Sequence, residues 1–192
     1  YLHHGNQIAD PLTGGMTAKE IEGGSVIFED DNLKISAFKV FHEPIEPALG
    51  YKFEYKDRVL VISGDTRYDS ELIKSFKGAD VLFCEVISPD IVDRFIKVAE
   101  QQNDAKLKKI LVDILDYHIS PLDAVDLANE AGVRHLVYYH LTPTLPTEIR
   151  FLSDKFFFAG VDEAIENWTA STDGTMVVLP SNSKEILISE IN

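Results

Sequence analysis

Cysteine is almost absent from this chain: Cys84 stands alone among 192 residues, which excludes an internal disulfide. It lies in the run Val81-Leu82-Phe83-Cys84-Glu85-Val86, where it reads as a small buried hydrophobe. Long apolar runs are missing as well. No stretch approaches the ~18 consecutive apolar residues of a membrane-spanning helix, so no membrane partner is expected. No charged, apolar and small-residue order suggests a secretory leader, which together with the lone cysteine points to a cytoplasmic home. Basic residues are scarce: 18 Lys and Arg face 32 Asp and Glu, for a net charge of −14. Broad, nonspecific nucleic-acid binding depends on cations meeting phosphates and is disfavoured by this balance; a cation-bridged phosphate contact is not. There are no repeats and no low-complexity tract. The first residue is Tyr1 rather than Met, so the expectation is a chain that begins inside a longer product or after processing.

What is present is enough apolar residue, 45 % of the chain, for one globular domain or most of one. Residues 1–24 are polar and Gly-rich and read as irregular chain; residues 25–192 read as the folded part. Alternating runs predict strands over 25–29 and 33–40 with Asp30-Asp31-Asn32 between them, then 51–55 and 58–63 joined by Lys56-Asp57. Val81–Ile87 is continuously apolar and suits a strand buried on both faces. Ser88-Pro89 and Ser120-Pro121 each open a helix. The second is capped by Ser120 with Asp123 three residues on, buries a stripe of Leu122, Val125 and Ala128, and stops at Gly132. A strand over 135–139, a helix over 147–158 and strands over 175–179 and 185–189 complete the chain. Strand pairs followed by helix–strand alternation predict an α/β layered fold with mixed sheets.

The chemistry-bearing residues collect where apolar strands stop. Asp65 follows Val59-Leu60-Val61-Ile62-Ser63 through Gly64, which permits a sharp exit; it reads either as a turn-capping carboxylate or as a metal ligand. His42 ends an earlier strand, and His140 ends the run from His135. Imidazole nitrogen and carboxylate oxygen together form a donor set for zinc and related ions. His118 lies one residue before the N-cap at Ser120. There it reads either as a proton or hydrogen-bond donor to an oxyanion, or as a helix-flanking residue held by Asp116. His135 reads as structural, and His3-His4 as an unstructured pair. Tyr68, soon after Asp65, is a candidate substrate contact. Phe156-Phe157-Phe158 reads as a buried helix face rather than a pocket wall.

Taken in order, Phe41-His42, Leu49-Gly50-Tyr51, Val61-Ile62-Ser63-Gly64-Asp65-Thr66, Tyr117-His118-Ile119-Ser120-Pro121 and Ala131-Gly132-Val133 through Tyr138-Tyr139-His140 resemble the C-terminal half of metallo-β-lactamase-fold hydrolases. The branch is similar to the ribonuclease Z and arylsulfatase-like group, over roughly residues 25 to 180. The resemblance implies an αββα sandwich with two divalent transition-metal ions, zinc first and manganese or iron as alternatives. It implies His42, Asp65 and His140 as metal ligands, Asp65 bridging, with His118 and Asp65 as the catalytic groups. It also implies an earlier His-x-His-x-Asp-His run, which this chain does not contain. The expected fold is therefore an incomplete sandwich lacking its N-terminal strands, inactive by itself.

The expected function is a metal-dependent hydrolase acting on a phosphodiester, sulfate ester or similar small-molecule ester. A tRNA 3′-processing endoribonuclease is the alternative enzyme, disfavoured by the acidic charge. A non-catalytic half-domain serving as a binding or assembly module is the alternative outside catalysis; under either reading a homodimer is a candidate assembly.

Overall fold

The computed structural model describes residues 19–144 and 150–191, with side chains from 154 onward in the second segment. The expectations for residues 1–18, including His3 and His4, lie outside the described residues. Four strands, β1 (Val26–Glu29), β2 (Leu33–Lys39), β3 (Leu49–Tyr55) and β4 (Arg58–Ile62), form an antiparallel meander. Beyond β4 the pairing becomes parallel, through β5 (Val81–Ile87), β6 (His135–Thr142) and β7 (Trp168–Ala170), and the sheet order equals the chain order. Parallel neighbours need crossovers. These are supplied by α1 (Leu72–Phe76), by α2 (Pro89–Gln101), α3 (Ala105–Asp113) and α4 (Pro121–Ala131), and by α5 (Arg150–Phe157) and α6 (Val161–Ala164). A separate antiparallel hairpin of β8 (Thr175–Val178) and β9 (Leu187–Glu190) closes the chain.

Local chemistry sets the boundaries. Asp30 accepts from the amides of Asn32 and Leu33, both at 2.8 Å, and so closes the β1–β2 turn. Ser120 accepts from the Asp123 amide at 3.2 Å and donates to its carboxylate at 2.7 Å, as its sequence position predicts. Gly132 ends α4 in the left-handed region at φ 67°. Pleat alternation sends Val61, Leu82, Cys84, Val86, Leu136 and Tyr138 to the helical side, where they meet Phe76, Val125, Leu127 and Ala128 in the main core. A smaller cluster of Ile87, Val92, Ala99 and Leu111 lies beneath α2 and α3. The opposite face of the sheet carries Leu60, Ile62, Phe83 and Tyr139, all half-buried. Among the described residues there is one helix-covered large sheet, not a second one facing it.

Several expectations need correction. Leu122 is 46 % exposed, because α4 buries Ala124, Val125, Leu127, Ala128 and Ala131 instead. Phe157 and Phe158 are buried, yet Phe156 faces out under the Arg94 guanidinium. The sequence pattern does not predict α1, α3, α6 or β7: each is short or buries few residues, so none carries a full apolar stripe. The strand starting at His135 does not stop at Tyr139. It runs to Thr142, with consequences for His140. No described helix is long and apolar enough to cross a membrane.

Candidate metal centre

Because β4, β5 and β6 are mutually parallel, their C-terminal ends gather on one edge, the usual place for a ligand in an open α/β sheet. Asp65 leaves β4 through Gly64, whose φ is 66° and whose hypothetical Cβ would meet the Leu49 carbonyl at 2.5 Å. Only glycine fits that turn without strain. His42 sits in the loop after β2, stitched to the Asp65 loop by Phe41 N to Thr66 Oγ1 at 3.0 Å and by Arg67 N to Phe41 O at 2.8 Å. His118 precedes α4. The loops converge, although 25 and 75 residues separate their stitching contacts along the chain.

His140 is positioned by a bulge. Glu85 pairs with Tyr139 and Val86 with Leu141, so His140 is the extra residue of β6, at φ 46°. The bulge, not a strand end, turns its ring toward Asp65, placing Nδ1 3.0 Å from Oδ1. His42 donates through Nδ1 to the Tyr117 carbonyl at 3.0 Å, since that oxygen can only accept. The ring centroids of His42 and His118 are 5.2 Å apart, and those of His118 and His140 are 5.9 Å apart.

His118 is not held by Asp116. Its Nδ1 lies 3.0 Å from Oε1 of Glu85, at ion-pair distance but without hydrogen-bond geometry. Glu85 is fully buried in β5; its Oε1 also accepts from Thr66 N at 3.0 Å and from Ile119 N at 3.3 Å. Its second oxygen, Oε2, meets no hydrogen-bond donor among the described residues. Burial lifts the Glu85 carboxyl above its ordinary value, against the pull of His118 and the Thr66 amide. Burial also opposes charge on His118, but the Glu85 contact and the fields of Glu85 and Asp65 outweigh it, so its pKa is raised.

Glu85 is the site residue that sequence reasoning missed. The signal was there: a single carboxylate inside an otherwise apolar strand is almost never buried without a partner. Read as part of a continuous hydrophobic run, it was passed over. The other expectations settle simply. Cys84 is buried, and burial pushes its thiol pKa up. His135 is remote from the cluster and bonds Thr169 Oγ1 at 2.9 Å. Tyr68 is partly exposed on the loop after Asp65.

The donor set suits a transition metal. Ligand atoms of His42, Asp65 and His118 all lie within 4.8 Å of one another, and the same holds for Glu85, His118 and His140. The two groups share His118, so these donors fit one ion and fall short of the three or four per ion that two would need.

A family model described as a beta-lactamase superfamily domain matches residues 1–141. A ribonuclease Z of Mycolicibacterium paratuberculosis is 32 % identical over 143 residues, covering 74 % of this chain and 46 % of that protein. The ribonuclease Z of Mycobacterium tuberculosis H37Rv is 32 % identical over 118 residues, 62 % of this chain and 39 % of the relative. The chain thus spans about half or less of the length of these relatives. Among solved structures, zinc-bound PqqB from Methylobacterium extorquens aligns with a TM-score of 0.52 at 16 % identity, covering 80 % of this chain and 49 % of PqqB. A putative metal-dependent hydrolase from Parabacteroides distasonis aligns with a TM-score of 0.50 at 18 % identity, over 80 % of this chain and 58 % of that one. A sheet edge bearing His42, Asp65, His118 and His140, in a chain matched over most of its length by that family model, makes this protein a member of the beta-lactamase superfamily with the metallo-β-lactamase fold.

Proposed function

We propose that this chain is the part of a metal-dependent phosphodiester hydrolase that carries His42, Asp65, His118 and His140, completed by further ligands outside its own donors. The observation that carries the reading is the convergence of these four side chains at the C-terminal ends of parallel strands. Divalent transition-metal ions held by these residues would supply a hydroxide near neutral pH and offset charge on phosphoryl oxygens. Asp65 would offer its carboxylate oxygens as ligands from the strand exit at Gly64. The Tyr117 carbonyl holds the His42 Nδ1 proton and so leaves its Nε2 lone pair free. His118, with Nδ1 against Glu85, presents Nε2 to a leaving-group oxygen and can donate its proton there. Glu85 offsets the imidazolium charge from its buried position.

Charge and kinship point to different substrate classes. The net charge of −14 favours a small phosphodiester over a polyanion. The relatives named ribonuclease Z favour RNA, and this second reading is retained on that observation. Assaying the longest natural form of the protein against an activated small phosphodiester and against a tRNA precursor with a 3′ trailer separates them. Under either substrate, Asp65→Ala should lower turnover by about a thousandfold or more, roughly 4 kcal/mol of transition-state stabilisation. Undiminished turnover would end the proposal.

A further inference from the structure

We infer that the cleft at the N-terminal end of β6 is a binding site for a small phosphate-bearing dianion, separate from the metal edge. The cleft has a volume of about 400 Å³ and is lined by Val133, Arg134, His135, Asn167, Lys184 and Ile186. These residues come from the start of β6, the entry to β7 and the β8–β9 connection. His135 and His140 stand five residues apart on one strand, so roughly 16 Å of β6 separates the cleft from the metal cluster.

The cleft is cationic in an acidic molecule. Acidic residues outnumber basic ones in the chain, 32 to 18, yet none of the lining side chains is acidic. Glu166 and Glu185, the sequence neighbours of Asn167 and Lys184, do not line it. Among the described residues Asp80 is the carboxylate paired with both Arg58 and Arg134, and one negative charge cannot neutralise two guanidiniums. Lys184 adds a third cation, whose ammonium pairs with no carboxylate among the described residues. Screening over about 8 Å at physiological salt keeps distant acidic residues from cancelling this local excess.

Hydrogen-bond donors are left over as well. A guanidinium carries five N–H groups. Arg134 gives one to Asp80 and one to the Lys184 carbonyl, leaving three without a partner among the described residues. Those two bonds hold its plane in place while 41 % of the side chain stays exposed. A guanidinium fork held this way matches the paired oxygens of a phosphoryl group, and Lys184 brings a point charge on a flexible stem. The Asn167 carboxamide adds a neutral donor, and the His135 ring adds another when the Thr169 hydroxyl donates to its Nε2. The buried Arg58 gives its donors to the Ser183 and Glu185 carbonyls and serves the fold; the exposed rim of Arg134 and Lys184 meets the ligand. A phosphoryl group there ties β6 to the β8–β9 connection, so binding also raises stability.

Calorimetric titration of the longest natural form of the protein with inorganic phosphate and with methyl phosphate, at about pH 8, tests the assignment. The same titrations in Asp65→Ala control for phosphate meeting cations at the metal edge. One binding event that survives Asp65→Ala is expected. It should weaken about tenfold or more in Lys184→Glu and stay within about threefold in Lys184→Arg. Asn167→Asp, which brings a carboxylate into the cleft without touching a cation, should weaken it comparably, and circular dichroism checks the fold of each variant. Dimethyl phosphate, a monoanion, should bind about tenfold more weakly. The thermal midpoint should rise with phosphate in the wild type and not in Lys184→Glu. Tighter binding of methyl phosphate identifies an ester as the ligand, and tighter binding of inorganic phosphate a free ion; either supports the inference. Binding lost in Asp65→Ala and kept in Lys184→Glu would move the anion to the metal edge and overturn it. Absence of saturation overturns it too, as does a Lys184→Glu effect confined to a tRNA precursor, which would make the cluster a nucleic-acid contact.

Discussion

The two ends of the parallel strands carry polar clusters of opposite design. At the N-terminal end, Arg58 before β4's apolar run, Asp80 before β5 and Arg134 before β6 form one ion-pair chain. Asp80 Oδ2 lies 3.2 Å from Arg58 Nε and accepts from Val59 N at 2.8 Å, while Oδ1 takes Arg134. Other guanidinium donors reach the carbonyls of Ser183, Lys184 and Glu185, and so pin the β8–β9 connection to the sheet. Two guanidiniums share one carboxylate and backbone carbonyls there, and Arg58 is 3 % exposed. At the C-terminal end, Glu85 leaves an oxygen unpartnered, His140 sits on left-handed backbone, and three imidazoles crowd around Asp65. A cluster whose buried guanidinium is ion-paired and tied to backbone carbonyls serves the fold, even with Arg58 Nε in no hydrogen bond. One with leftover lone pairs and stored strain waits for something to bind.

This contrast is testable, most severely at the satisfied end. Asp80→Ala should cost about 3–5 kcal/mol in urea unfolding, because it strands the buried Arg58 charge. A loss below ~1 kcal/mol would mean the cluster is solvated and the contrast false. Gly64→Ala comes next. A left-handed φ and a 2.5 Å clash with the Leu49 carbonyl should cost about 1–3 kcal/mol and shift Asp65, lowering metal affinity as well. His140→Gly should go the other way: relieving the bulge raises stability by about 1 kcal/mol while turnover falls. A destabilised glycine variant would show that no strain is stored there.

The smallest effect concerns pH. Burial lowers the His135 pKa, so the unfolded chain takes up a proton near 6.5 that the folded chain resists. The contribution of His135 is then intact above that pH and is lost as the pH falls below it. The difference in urea midpoint between the wild type and His135→Gln should therefore narrow from pH 8 to pH 5.5; a constant difference refutes it.

Much of this molecule could be read along the chain. The β5 limits, the Asp30 turn and the Ser120–Gly132 helix all follow from residues within a turn or pleat of one another. The exit at Gly64-Asp65 belongs with them, since a glycine and a carboxylate after an apolar run are neighbours in sequence. His140 stands beside Asp65 through a bulge rather than at a strand end. Its bulge exists only in register with β5, and no residue of β6 alone announces it.

The sequence by itself determined where strands stop and which side chains stand at those stops, because alternation and capping act over a few residues. Tertiary structure alone decided that Glu85 meets His118, that Asp80 joins two arginines, and that His42 comes within 4.8 Å of Asp65. Those pairings depend on sheet order and crossover geometry, and a buried charge finds its partner through space rather than along the backbone.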